Sequence, residues 1–486
     1  MSSSRRSSTS STGGLASPQS PPELVLVNEV DFPNEELDFS SDDEMSDDFS
    51  ARLDRLNAST IPPLSPTLVL LYLSVPYLKS GPMFLAFSDA PLSHTISTLI
   101  VCALFAALSR QMWHLLAKYL RKTDTEEVIL DILARGGSKA RTRFLLRVIV
   151  RAGTSTLRIL LASVYLRASV DALLPFVPSR FQSVARELVT SALALSLLPL
   201  YAAPSLAAKR IIFATLASLL AYLTWLGAVL HARIKGTSPA GLHWESFGIL
   251  WQGITSTAFV FSSSWTLPLY AALRGSMPPT VAKRPRRRSF RALIAASVAV
   301  AVALVLPFCL FALSDNLPST PGQGENAFVA ISSATNLLLI IPAILITIPT
   351  TPLPRAIRRT TNPTLSKIVI YAAVIALSAL PSNVTAVLGD ALLVLSLLST
   401  YVLPAILHIT VHYFKQPLSI VLPTSLTRAE VGEAGEGDEL LRRKERSLQR
   451  KRLGRRLAWD VIAWVLVLPI GAGGCAWAVG RALGRW

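Results

Sequence analysis

Three short stretches hold the residues whose types and spacing can do chemistry. "VPYLKSGPMFLAF" (Val75–Phe87) sets Lys79 beside Ser80, Gly81 and Pro82. "FVFSSSWTLPLY" (Phe259–Tyr270) runs Phe259 and Phe261 into Ser262 and Ser263, with Pro268 close behind. "AFVAISSATNLLLIIP" (Ala327–Pro342) carries Ser332 and Ser333, then Thr335 and Asn336. Each interrupts a long apolar run with glycine, proline or hydroxyl side chains. In lipid an unpaired backbone group is very costly, so irregular backbone persists only where it lines a protein cavity or a water-filled one. The freed N–H and C=O groups and the nearby hydroxyls then recognise a small polar ligand or an ion. Close helix packing through small residues is the other use of such sequences.

The chemistry these residues offer is recognition and not bond making. The sequence has no phosphate-binding glycine loop, no dinucleotide fingerprint and no His-Glu-x-x-His pair, and its six histidines are scattered. His408 and His412 are too few ligands for a metal site. No catalytic residue, metal or cofactor is expected, and the chain does not read as an enzyme. Charged groups inside apolar runs are costly and are functional by default. Lys79, beside the first break, is the foremost; Arg158, Arg167, Asp171, Asp390 and Asp460 are the others. Arg167 and Asp171 stand four apart and read as a pair on one helix face.

The elements that position these residues follow from composition. The 486-residue chain is 51% hydrophobic and 16% charged, with a mean hydropathy of +0.47. Soluble domains are about one quarter charged, so a polytopic membrane protein is expected. Eleven apolar runs are long enough to be candidate spans: Thr67–Phe87, Thr95–Leu116, Thr154–Leu174, Leu188–Ala207, Ile211–His231, Phe247–Leu273, Leu293–Leu313, Ala327–Thr350, Ile368–Leu380, Val384–His408 and Ala458–Val479. The ninth is short; it either begins earlier or forms a tight hairpin with the tenth at Pro381–Asn383. With the N-terminus inside, 33 of the 47 lysines and arginines fall in the five inner gaps, and only 6 in the outer gaps and C-terminal tail. That asymmetry predicts an N-in, C-out bundle. It also explains a net charge of +17 without nucleic acid, since no aromatic-rich basic surface accompanies the charge.

Residues 1–60 read as a disordered, Ser-rich acidic cytoplasmic tail, with Ser41 and Ser46 before acids. No cleavable signal is expected, since the first apolar run begins near Thr67. A ten-helix core is expected over 65–410, a basic cytoplasmic loop over 411–456, and the eleventh helix with a short outer tail over 457–486. Lys283–Arg288 and Arg442–Arg456 offer charge to anionic lipid. "EGDELL" (Glu436–Leu441) has the form of an acidic dileucine sorting signal, and with the tail it leans toward an endosomal or vacuolar membrane over the plasma membrane.

"FVFSSSWTLPLYAALRG" (Phe259–Gly275), preceded by Gly253 and followed by a basic loop, resembles the sixth helix of the amino acid/auxin permease family of amino acid transporters. Ala379–Ile409, with Pro381, Gly389 and Pro404, resembles the family's ninth and tenth helices, and Leu197–Leu206 the end of its fourth. The resemblance implies an all-α, polytopic bundle of about eleven helices. In it, helices 1 to 5 are repeated upside down as 6 to 10, and helices 1 and 6 unwind at the midplane. Substrate binding would then fall to Ser80, Gly81, Phe259, Phe261, Ser262 and Ser263, and the coupling ion to Lys79, Ser332 and Ser333. The chain departs from the family at "KSGPMFLAF", which keeps one glycine, puts Lys79 near the place of the other and has no later proline. An ammonium there takes the place of sodium and favours a proton as the coupling ion. Two readings result. One is a secondary active amino acid transporter, with an amino acid, a proton or sodium ion and the bilayer as its partners. The other is a non-transporting sensor or scaffold that keeps the fold and signals through its tail and its 10–11 loop.

Overall fold

Long apolar runs force helix, because only a helix satisfies its own backbone groups within lipid. In the computed structural model the described residues are 62–79, 81–82, 92–120, 122, 124–134, 140–177, 182–234, 249–263, 265–275, 290–311, 323–349, 363–414 and 459–483, and they form helices and no strand. The chain divides into two units, Met1–Asn57 and Ala58–Trp486, and all described residues belong to the second. The expected acidic tail with Ser41 and Ser46, the basic runs Lys283–Arg288 and Arg442–Arg456, the Glu436–Leu441 signal and Ser80 lie outside the described residues.

The helices, in chain order, are α1 (Pro66–Ser74), α2 (Leu92–Leu120), α3 (Thr125–Leu133), α4 (Ala140–Leu173), α5 (Gln182–Tyr201), α6 (Lys209–Ile234), α7 (Ile249–Val260), α8 (Thr266–Gly275), α9 (Phe290–Phe311), α10 (Gln323–Leu338), α11 (Ile341–Ile346), α12 (Pro363–Ser378), α13 (Ser382–Leu397), α14 (Leu403–Phe414) and α15 (Leu468–Ala482). Among the described residues eight helical segments are long and apolar enough to cross a membrane. They coincide with expected spans 2, 3, 4, 5, 7, 8, 10 and 11. The first, sixth and ninth expected spans fall on shorter helices. α1 and its 3₁₀ continuation Val75–Leu78 stop at Lys79. The sixth is cut into α7 and α8, and the ninth is α12, which starts at Pro363 rather than Ile368.

Burial is arranged as lipid requires. On α6, Phe213, Leu220 and Leu223 face outward while Thr215, Ser218 and Tyr222 are buried. Phe144, Ile149, Leu195, Phe328 and Ile331 likewise stand exposed on other helices, whereas Lys79, Arg110 and Asn336 lie inside. So much outward apolar surface would aggregate in water but is solvated by acyl chains. The pattern is that of an integral, polytopic membrane protein. α4 sits centrally, against α5, α10, α11, α12 and α13; α9 packs on α1 and α2, α6 on α10, and α15 on α13 and α7.

Proline sets most of the interruptions. Pro342 has no N–H to give Leu338, and α10 ends at Leu338. Pro404 likewise frees the carbonyl of Thr400. There the helix widens into a π turn, Leu398–Val402, and the Ser109 hydroxyl of α2 donates to the freed oxygen. Pro76 closes α1 into its 3₁₀ turn, after which the chain leaves helical geometry at Lys79.

Candidate functional site

The two broken helices meet. A Cβ built on Gly81 would lie 2.5 Å from the Cα of Val260, so backbone touches backbone where both helices are interrupted. Only glycine permits that approach. In the second break the Ser262 N–H returns to the Phe259 carbonyl (3.0 Å) and closes a turn, and the chain re-enters helix at Thr266. The last carbonyls of α7 and the first N–H groups of α8 therefore point into one gap, a negative helix end against a positive one.

A cavity opens at this gap. Gly81, Pro76 and Lys79 line it from the first break, and Phe259, Val260, Ser262, Ser263 and Trp265 from the second. Leu157, Leu161 and Tyr165 come from α4, Ile340 and Ile344 from the α10–α11 junction, and Ser396 and Ser399 from α13 and its π turn. The free space among them, open space at its mouth included, is about 590 Å³. Leu157, Leu161 and Tyr165 are spaced by four and share one face of α4.

The π turn holds the second break in shape. Ser263 N–H donates to Thr400 Oγ1 (3.1 Å), and the Tyr401 hydroxyl donates to the Ala258 carbonyl (3.0 Å). Among the described residues the Ser263 hydroxyl is buried and has no hydrogen-bond partner. A buried hydroxyl at the rim of a cavity is available to a ligand.

α15 braces that turn from behind. A Cβ on Gly471 would lie 2.6 Å from Val402 Cγ2 and 3.0 Å from Tyr401 Cβ, and one on Gly474 would lie 2.7 Å from Leu397 Cδ1. Arg481 and Asp390 pair between α15 and α13. Gly471→Ala is expected to push α15 off the turn at a cost of about 1–3 kcal/mol. A thermal-melting comparison with Gly389→Ala, whose Cβ would meet nothing within 4 Å, checks this: the first variant melts earlier and the second does not.

Beside the cavity lies a polar cluster from three helices. The Lys79 ammonium donates to Ser218 Oγ of α6, to Asn336 Oδ1 (2.5 Å) and to the Asn336 carbonyl of α10 (3.3 Å). Asn336 Nδ2 donates in turn to the Leu78 carbonyl freed by the first break (3.2 Å). All three ammonium donors are thus matched by neutral acceptors. Among the described residues no carboxylate lies within ion-pair distance of Lys79.

The structure brings together Lys79, Gly81, Phe259, Ser262 and Ser263. Phe261 is placed elsewhere: it is fully buried and its ring packs on Tyr77 (centroids 5.5 Å apart). Ser332 and Ser333 donate back into their own helix, to Phe328 and Ala330 carbonyls. The α10 residue that meets Lys79 is Asn336, one turn further on. Arg167 joins Asp171 (3.5 Å), as its spacing predicts, but Asp171 also takes Arg186 of α5 (2.5 Å).

Sequence reasoning assigned no role to Arg110, Ser218, Thr400 or Tyr401. Arg110 is fully buried, donates to Leu73 O and Ser297 Oγ (both 3.1 Å), and stacks over Tyr77 (4.2 Å to the ring centroid). It caps the carbonyl end of α1 just before the break, where a cation offsets the helix dipole. A charge inside an apolar run was the signal that could have marked it; the other three are ordinary residues of apolar helices. No protein-family model matches this chain, and no curated protein matches it.

Proposed function

We propose that the chain is a secondary active transporter of amino acids that works by alternating access. The single observation that carries this reading is the apposition of two broken helices around one cavity. A zwitterion presents a carboxylate and an ammonium close together, and the gap presents the N-terminus of α8 and the C-terminus of α7 to receive them.

Helix contacts support eleven spans with an inverted repeat. Exchanging each of spans 1 to 5 with the span five later carries several of the observed contacts onto one another. α1 on α9 corresponds to α7 and α8 on α2. α6 on α10 corresponds to α13 on α4, and α4 on α12 corresponds to α5 on α11. Five is odd, so such repeats run in opposite senses across the membrane. This arrangement lets one half rock against the other about a fixed site. The resemblance of Phe259–Gly275 to the amino acid/auxin permeases points the same way.

Lys79 is proposed as the proton carrier. Its ammonium ties the first break to α6 and α10. The neutral amine loses one donor and with it part of that tie. Loading the proton would therefore fasten, and unloading it loosen, the junction that opens and closes the site.

Uptake of radiolabelled amino acids into vesicles holding the purified chain, with and without an imposed pH gradient, tests the proposal. Gradient-stimulated uptake of at least one amino acid is expected. Binding without uptake of any would leave a sensor in its place. Ser262→Leu puts three apolar carbons into the cavity where a hydroxyl stood, so it should abolish uptake while the protein still inserts and purifies. Full uptake by that variant would move the binding site elsewhere.

A further inference from the structure

The cavity's serines and its branched aliphatic side chains come from different elements. The serines come from the second break and the π turn: Ser262, Ser263, Ser396 and Ser399. Two other elements supply Leu157 and Leu161 of α4, with Tyr165 beside them, and Ile340 and Ile344 at the α10–α11 junction, while Phe259, Val260 and Trp265 add apolar surface among the serines. Among the described lining residues the only charged side chain is Lys79, and its three donors are already engaged by Ser218 and Asn336. A polar wall of serines and helix ends suits the amino acid head group. What projects beyond the head must sit against two leucines and two isoleucines.

We infer that the substrate's side chain is apolar and of branched or aromatic size, and that the Leu157, Leu161, Ile340 and Ile344 wall selects it; the inference rests on the transport site proposed above. The physical reasons are two. A carboxylate, ammonium or guanidinium placed on that wall would be desolvated with no partner, which is strongly unfavourable. A cationic side chain would in addition meet the Lys79 charge in a medium that screens poorly. The apolar wall instead rewards each buried methylene, although pockets of this kind separate neighbours in size by only about 10- to 200-fold. Selection should therefore be strict on charge and loose on shape.

Competition in reconstituted vesicles of the full chain tests this, with leucine, phenylalanine, lysine and glutamate as the competing amino acids and thermal shift of the purified protein as a second readout. Leucine or phenylalanine should be taken up and should raise the melting temperature, and lysine and glutamate should do neither at about a hundredfold higher concentration. Ile344→Ala should shift preference from leucine toward phenylalanine or tryptophan by about tenfold, a change of ratio that mere loss of folded protein cannot produce. Leu161→Ala gives the same readout if the first variant purifies poorly. Uptake of lysine or glutamate as efficient as that of leucine overturns the inference while the transport reading stands. A leucine-induced shift without uptake keeps the inference and defeats transport. If neither shift nor uptake occurs with any of the four, the inference fails, and the transport reading fails with it once no other amino acid is taken up.

Discussion

Gly81→Ala is expected to reduce gradient-driven uptake at least about tenfold, the equivalent of about 1.4 kcal/mol. The added methyl group would lie 2.5 Å from Val260 Cα, 2.7 Å from Val260 Cγ2 and 2.9 Å from its Cβ. The nearest of these is backbone, so rotating a side chain cannot relieve the clash. The two breaks would have to separate, and overpacking of this kind costs about 1–3 kcal/mol. Their separation would move the α7 and α8 ends that are proposed to grip the substrate. Gly153→Ala is the control, because its Cβ would meet nothing within 4 Å and it stands inside α4. That change should leave uptake intact and, by removing a helix-interior glycine, favour the fold by about 1 kcal/mol. Equal uptake by the two variants would show that the contact between the breaks has no part in transport.

The second large effect is expected at Lys79. Lys79→Met removes the charge and leaves Ser218 Oγ and Asn336 Oδ1 without their ammonium donor in the core, while the Ser218 hydroxyl still serves the Asn336 carbonyl (2.8 Å). Each abandoned buried acceptor costs about 1–3 kcal/mol. If Lys79 carries the coupling proton, the imposed pH gradient should no longer stimulate uptake, whereas exchange of labelled for unlabelled substrate across the membrane should persist. Lys79→Gln, which restores a donor without a titrating group, separates the two roles: it should recover folded yield and exchange but not the response to the gradient. A Gln variant that still responds to the gradient would place proton coupling on another residue. Asn336→Ala should lower folded yield as well, since it also abandons the Leu78 carbonyl.

The comparison between the two lysine variants bears on why an ammonium occupies this position. It satisfies acceptors from two helices at the point where the first helix opens, so it acts as a fastener whether or not it titrates. Arg110 does similar work one turn earlier, at the Leu73 carbonyl, with Ser297 of α9 as its second acceptor. Two buried cations therefore attend a single helix break. On the first helix Arg110 serves the Leu73 carbonyl before Pro76, and Asn336, which Lys79 holds, serves the Leu78 carbonyl after it.

Much of the fold was legible in order of residues alone. Apolar run length marked where the chain crosses lipid, because a bilayer demands about twenty apolar residues and a self-satisfied backbone. Proline and glycine marked where helices stop: Pro76 with Gly81, the serines before Pro268, Pro342 and Pro404 all stand at interruptions. The ninth run begins earlier than its apolar stretch, one of the two alternatives the sequence left open, since Pro363 starts α12 at a residue that hydropathy scores as poor yet a first helical turn accepts.

What tertiary structure alone decided was which interruptions face one another. Gly81 and Val260 are 179 positions apart, and nothing local couples them; their contact exists because α1 and α8 pack together and α7 and α8 pack on α2. The same holds for the partners of Lys79. Ser332 and Ser333 are the conspicuous hydroxyls of α10, but both can bond to their own preceding carbonyls, as serines in apolar helices do. Asn336, whose amide has donors and acceptors to spare, crosses to the first break instead. The π turn was equally hidden: Pro404 announced a freed carbonyl, and only the packing of α2 against the α13–α14 turn brought Ser109 to satisfy it and Thr400 to hold Ser263. Sequence thus determined a membrane-spanning helical chain and the points at which its helices break, through the solvation of backbone and side chains in lipid. Packing between distant helices decided that those breaks share one cavity, because each freed polar group had to find a partner that no neighbour in sequence could supply.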